Sequence, residues 1–204
     1  VDDTARWDRT NGRLYRMSWK ETFEPVRVKD LASASGKQLL SALRHKNEWF
    51  SRMAQHQIRQ RAADKHISPE LATSLRSTVF DQTQLHRFRH LVALDGTGQL
   101  NQNDFTKLLK DTDETIRTHA LHFLTNQVGE QTRPHSDALL NLAKSDPSSR
   151  VRLALAGAAQ HRLPEDMRLP ILLALADRAE DTHDRFIPQP IWYSLSPFAK
   201  DQPN

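Results

Sequence analysis

Residues 95–105, Asp-Gly-Thr-Gly-Gln-Leu-Asn-Gln-Asn-Asp-Phe, have the oxygen-rich, glycine-turned composition of a calcium loop. With Gly98 at the sixth position, Asp95, Thr97 and Asp104 fall at the third, fifth and twelfth. The first position is then Ala93, which has no side-chain oxygen, and Asp104 replaces the longer bidentate glutamate. The segment reads instead as a turn between helices, with glycine at one helix end and asparagine at the next cap. Histidines offer a second candidate chemistry. His86 and His90 are spaced i, i+4 and His119 and His122 i, i+3, so each pair lies on one helix face. A zinc hydrolase of this type needs glutamate after the first histidine, and position 87 is arginine. These are expected to be ordinary repeat histidines. Paired carboxylates such as Asp113-Glu114 and Glu165-Asp166 sit in first helical turns, where the helix dipole accounts for them. No GxSxG elbow and no Ser/His/Asp spacing supports a hydrolase.

Arg117 and Arg152 recur at corresponding places, each behind an acid, Asp113 or Asp146. Two roles are open to them: a basic line that receives an acidic partner, or a set of forks that pair with acids of neighbouring units. Arg117, Arg152, Asp113 and Asp146 are assigned here to structural pairing between units, because arginine in a packed interface favours fixed carboxylate partners.

The elements that must position these residues follow from composition. The chain has 204 residues, of which 37% are hydrophobic, enough for one ordinary domain. Six glycines are too few for the many positive-φ turns of a sandwich, barrel or propeller. No glycine-rich phosphate loop occurs. With no cysteine, disulfides, thiolate zinc sites, iron–sulfur clusters and a CxxCH haem site are excluded within the chain. No cofactor is expected in it. No apolar window is long enough to span a membrane. Net charge is +4, with 14 Lys/Arg against 8 Asp/Glu in residues 1–66 and 15 against 17 beyond. The chain begins at Val1 without a signal-peptide pattern, and is expected to be a processed or excised part of a longer protein.

Helix signals come in pairs. Gly36–His45 is followed by a helix capped by Asn47 and running to about Ala63. Ser68-Pro69-Glu70 opens the next, and Leu85, Phe88, Leu91 and Val92 form a stripe ending at Asp95-Gly96. Asn101 or Asn103 opens a short helix. Ile116, Ala120, Phe123 and Leu124 form another stripe, with Leu139, Leu140 and Leu142 after Pro134. Asp146-Pro147 and Pro164 are further starts, and Pro188 and Pro190 force the last helix to begin late or kink. Setting Ile116 on Val151 gives a spacing of 35, and Ile187 lies 36 beyond Val151. This is the period of an α-solenoid built from two helices per unit, so an all-α stack of about five antiparallel pairs is expected over residues 31–204. Residues 1–30 differ. Asn11-Gly12 marks a tight turn, and Arg13–Trp19 alternates as a strand with Tyr15, Met17 and Trp19 on one face.

The pairs Ile116-Arg117 and Val151-Arg152, each opening a second helix, resemble HEAT-type repeats. The segment Asp8–Arg16, with Asn47–Arg52 and Ile187-Pro188 before Ile191-Trp192-Tyr193, looks like the planctomycete-type membrane-bound dehydrogenases. In that family a sorbosone-dehydrogenase-like propeller precedes helical repeats, and a cytochrome-c-like domain often follows. The resemblance implies that residues 1–30 are the closing strand and linker of an upstream propeller, and that 31–204 are a HEAT-like domain. Phe50-Ser51 and Ile187-Pro188 depart from the apolar-arginine pattern and fit the role of end caps. What it implies for function is a non-catalytic scaffold or protein-interaction domain in a multidomain, extracytoplasmic (periplasmic or cell-envelope) redox protein. Its partners would be other domains of that protein or another protein, with self-association through the open strand edge of the arm. Two other readings stand beside it: part of a sugar or alcohol dehydrogenase whose catalytic and haem sites lie outside this chain, and a nucleic-acid-binding helical repeat.

Overall fold

In a computed structural model, which describes residues 17, 19–23, 30–126 and 130–200, the fold is all-helical, and no strand occurs among the described residues. Ten α-helices run in chain order: α1 Gly36–Leu43, α2 Glu48–Ala63, α3 Pro69–Phe80, α4 Arg87–Asp95, α5 Gln102–Leu108, α6 Glu114–Asn126, α7 Ser136–Ser145, α8 Ser149–His161, α9 Glu165–Ala176 and α10 Pro188–Lys200. Short 3-10 turns, Glu130–His135 and Ala179–Asp181, precede α7 and follow α9. The chain divides into two units, Val1–Asp30 and Leu31–Asn204.

In the first unit the expected turn at Asn11-Gly12 and most of the expected strand at Arg13–Trp19 lie outside the described residues. Met17 is fully exposed and Trp19 is 70% exposed. The Trp19 indole N–H donates to Glu21 Oε2 at 3.2 Å across a local turn.

Local chemistry sets the helix starts of the second unit. The Ser35 hydroxyl accepts from the Gln38 amide, and the Gln38 side chain accepts in return from the Ser35 amide. Asn47 Oδ1 accepts from the Trp49 amide at 3.0 Å, and Ser68 Oγ from the Leu71 amide at 3.3 Å ahead of Pro69. Two expected starts differ. Asp146-Pro147 does not open α8, which begins at Ser149. Asp146 follows the last turn of α7, and Oδ1 accepts from the Ser148 amide at 2.8 Å. Leu85 is not part of a buried stripe: it lies ahead of α4 and is 77% exposed. Helix α10 begins at Pro188, so Pro190 falls in its first turn, where no amide partner is needed. Further on, Pro197 cannot donate to the Tyr193 carbonyl, and the Ser196 hydroxyl does so at 3.2 Å.

Packing joins helices close in sequence. α1 packs on α2 and α3, α3 on α4, α5 on α6, α7 on α8 and α9, and α9 on α10. The even-numbered helices form an unbroken succession of contacts, α2 on α4, α4 on α6, α6 on α8 and α8 on α10. Each presents one buried face with the same spacing: Ser51, Ala54 and Ile58 in α2, Arg87, His90, Leu91 and Leu94 in α4, Arg117, Ala120, Leu121 and Leu124 in α6, Arg152, Leu155, Ala156 and Ala159 in α8, and Ile187, Ile191 and Ser194 at α10. That i, i+3, i+4, i+7 face is the core stripe of each helix. Its polar members, Ser51, Arg87, His90, Arg117, Arg152 and Ser194, define the candidate sites.

Candidate functional site

Arginine opens this buried face in α4, α6 and α8, and each one forks an aspartate beyond the next odd-numbered helix. Arg87 Nη1 donates to Asp111 Oδ1 at 3.1 Å and Nη2 to the other oxygen. Arg117 reaches Asp146 through Nε at 2.7 Å and Nη2 at 2.9 Å. Arg152 grips Asp181 in the same way through Nε and Nη2. All six residues are buried. The third guanidinium donor serves the backbone: Arg117 Nη1 bonds the Asp111 carbonyl at 2.8 Å and Arg152 Nη1 the Asp146 carbonyl at 2.8 Å. Each loop aspartate thus receives the preceding arginine on its carboxylate, and Asp111 and Asp146 offer their carbonyls to the following one. Bidentate, charge-assisted bonding holds the pKa of Arg117 and Arg152 above the ordinary value although burial opposes it.

Of the four residues assigned to pairing, Arg117 and Asp146 meet each other, and Arg152 meets the Asp146 backbone while its carboxylate partner is Asp181. Asp113 has a different role. Its Oδ1 accepts from the Thr115 amide at 2.8 Å, capping α6. Sequence reasoning missed Arg87–Asp111 and Asp181. A signal for them exists: aspartate stands six residues ahead of the position that opens the buried face, the ladder position, in Asp81/Arg87, Asp111/Arg117, Asp146/Arg152 and Asp181/Ile187.

A second set of arginines donates to backbone carbonyls of the turn ahead of α1 and of the ends of α1 and α7. Arg61 donates to the carbonyls of Ala32 and Ala34, and Arg89 to those of Leu43 at 3.2 Å and His45 at 2.9 Å. Arg178 donates to the Asp146 carbonyl at 3.1 Å.

The calcium-like segment is a turn. Asp104 is buried, accepts from the Asn101 amide at 3.0 Å in a capping box, and pairs with Arg76. Asp95 ends α4, and burial pushes its carboxyl above the usual range. Among the described residues no group of three or more His, Cys, Asp or Glu is placed to hold a metal ion.

The histidines serve different purposes. His86 stands exposed at φ 60° ahead of α4. His90 is fully buried at a position that α6 fills with alanine and α8 with leucine. Its Nδ1 lies 3.0 Å from the His86 carbonyl, and its Nε2 has no hydrogen-bond partner. Burial first, then the charges of Arg44, His86 and Arg89, push its pKa below the ordinary value. His119 packs on Phe88 with ring centres 4.2 Å apart and the planes tilted by 53°, and His122 lies beside it at 6.0 Å. Five of the chain's ten histidines lie in even-numbered helices, and none in α1, α3, α5, α7 or α9.

Open depressions flank α8. A groove of about 480 Å³ runs between α6 and α8, bounded by Thr118, His122, Arg150, Leu153, Gly157 and Arg162. A cleft of about 880 Å³ lies where α8 meets α9, lined by Arg133, His161, Arg162 and Arg168 with Glu165 and Asp166. Arg133 is paired there with Asp166 at 2.7 Å. No helix among the described residues is long and apolar enough to cross a membrane. No protein-family model matches the chain, and no curated protein or solved structure matches it either.

Proposed function

We propose that residues 31–204 form a helical-repeat scaffold of five helix pairs, stacked as a HEAT-like solenoid, that docks other proteins and carries out no reaction itself. The observation that carries this reading is the recurrence, from pair to pair, of one buried helix face joined to the next unit by an arginine–aspartate fork. A stack held by nearest-neighbour joints is the economy of a solenoid, and such stacks expose long surfaces for protein contact. The setting in a multidomain, extracytoplasmic redox protein rests on the motifs of the arm and the repeats alone. There the chain would scaffold neighbouring domains that hold the catalytic and haem groups.

Binding of the purified chain to arrayed peptides of acidic, basic and apolar composition tests the docking role. The folded chain is expected to retain at least one class above the level of an unrelated helical protein, and to lose it in urea. Equal retention by the control protein, or none by the chain, overturns the reading. Ordinary globular cooperativity would argue against the stack: removing α9 and α10 is expected to leave α1–α8 folded, with a lower midpoint.

A further inference from the structure

We propose that the groove between α6 and α8 receives an extended acidic segment of a partner protein, with Arg150 and Arg162 as its anion contacts and Leu153 as an apolar one. This rests on the docking role proposed above and names the surface and the partner chemistry.

Charge is the first support. Two arginines and His122 line the groove, and no Asp or Glu does so among the described residues. Arg150 is mostly exposed, and its contact with Glu114 is a loose 3.5 Å pair at the rim. The Glu114 carboxylate is also engaged by the Ser148 hydroxyl. Arg162 donates to the neutral Asn126 side chain at 2.6 Å, so its charge is not cancelled there. Exposed pairs of this kind exchange readily for an incoming carboxylate, because each is worth little on its own.

The second support is Gly157. Glycine inside a helix costs roughly 1 kcal/mol relative to alanine. A Cβ built at Gly157 meets nothing within 4 Å, so neither helix packing nor backbone conformation requires its absence. Gly157 is exposed in α8 and lines the groove, between the buried Ala154 and Ala158 and the accessible Leu153. Leaving out the side chain there admits another backbone to close approach. Gln160 supplies an amide, and Thr118, whose hydroxyl donates to the Glu114 carbonyl, an acceptor oxygen for a peptide main chain.

An acidic peptide fits this inventory better than a nucleic acid. Duplex DNA carries one charge per ~1.7 Å and is held by many phosphate contacts. The groove offers two arginines, and the ladder arginines of α6 and α8 are already paired with buried aspartates. Two cations beside a leucine match a segment in which carboxylates alternate with an apolar side chain.

The test is fluorescence anisotropy of the full chain with a short fluorescein-labelled peptide of glutamate and leucine. Parallel probes are a lysine–leucine peptide and a labelled DNA duplex. The acidic probe is expected to bind tightest, and Arg150→Glu combined with Arg162→Glu to weaken it at least about tenfold. Gly157→Phe fills open space, so the helix folds, and it is expected to weaken the same probe to a similar degree. Lys107→Glu, outside the groove, leaves binding unchanged. Circular dichroism and thermal midpoints verify that the variants fold. Undiminished binding by both folded groove variants overturns the proposal, and so does tighter binding of the duplex. If the peptide array retains only other classes, this inference falls while the docking role stands. If it retains none, the docking role itself falls.

Discussion

The interior joints and the two ends of the even-helix succession are built on one plan with different chemistry. In α4, α6 and α8 the position that opens this face is arginine, forked to the aspartate that follows the next odd-numbered helix. In α2 the same position is Ser51, and at α10 it is Ile187, both buried. The end loops change in step. Asp81, which would receive an arginine from α2, instead accepts from its own loop, through the Thr83 amide at 3.0 Å and the Gln84 side chain at 3.0 Å. The Thr83 hydroxyl, which also donates to it, and then the Gln84 side chain and the Thr83 amide hold its carboxyl below the usual range. Interior joints are therefore specified by paired charge, and the terminal ones by packing and local turns. A buried fork fixes which loop meets which helix, because a misplaced arginine would be desolvated without its partner.

The sharpest way to break this comparison is to remove an aspartate from each region. Asp146→Ala strands the buried Arg117 guanidinium and removes the acceptor of the Ser148 amide, so a loss of about 3–5 kcal/mol is expected. Asp81→Ala removes exposed contacts within one loop, and its effect should fall within the scatter of surface substitutions. Urea unfolding of both variants measures the difference. Similar midpoints would mean that the forks do not distinguish the interior joints.

Much of this plan was readable from the sequence, and the unread part has a physical cause. Asn47 and Ser68-Pro69 could be read because a cap is a contact between residues two or three apart. The pairing role of Arg117 was readable from repeat spacing. The choice of Asp146 over Asp113 was not, because the two acids lie in different loops, ahead of α6 and ahead of α8, and only three-dimensional packing decides which of them reaches the Arg117 guanidinium. Arg61, Arg89 and Arg178 were invisible as partners of backbone carbonyls, since a carbonyl carries no letter in the sequence. The α6–α8 groove likewise depends on how two helices lie together. His90 misled differently. It has the spacing of a metal ligand yet fills a core position, so the apolar stripe was drawn through Phe88 and Val92 instead.

A smaller effect separates the α4 joint from its neighbours. His90 has a pKa below its unfolded value, so the folded protein binds fewer protons at this site than the unfolded chain. Its contribution to stability is complete above about pH 6.5 and is lost as pH falls below that value. The charges of Arg44, His86 and Arg89 act in the same direction as burial. His90→Leu is expected to raise stability at neutral pH by about 1 kcal/mol, because an unpartnered buried nitrogen is removed. It should also narrow the drop in thermal midpoint between pH 7.5 and about 5.5. Some acid loss persists through His122 and His135, whose pKa values burial also lowers. An unchanged pH profile in the leucine variant would show that His90 does not set the acid sensitivity of this joint.

The smallest expected effect belongs to the front end. Ser51 occupies the ladder position of α2, is 1% exposed, and its hydroxyl has no hydrogen-bond partner. A buried unsatisfied hydroxyl costs more than it returns, while replacing it with hydrogen leaves a void smaller than a methyl group. Ser51→Ala should therefore stabilise the chain by about 0.5–1 kcal/mol, helped by the higher helix propensity of alanine. At the matching interior position the same substitution, Arg117→Ala, leaves the Asp146 carboxylate buried without its guanidinium and should destabilise strongly. Opposite signs at equivalent positions are the specific expectation, and thermal melts of the two alanine variants read it directly. If Ser51→Ala lowers the midpoint, the serine hydroxyl has a stabilising role at the front joint, and the contrast between packed ends and charge-paired interior fails there.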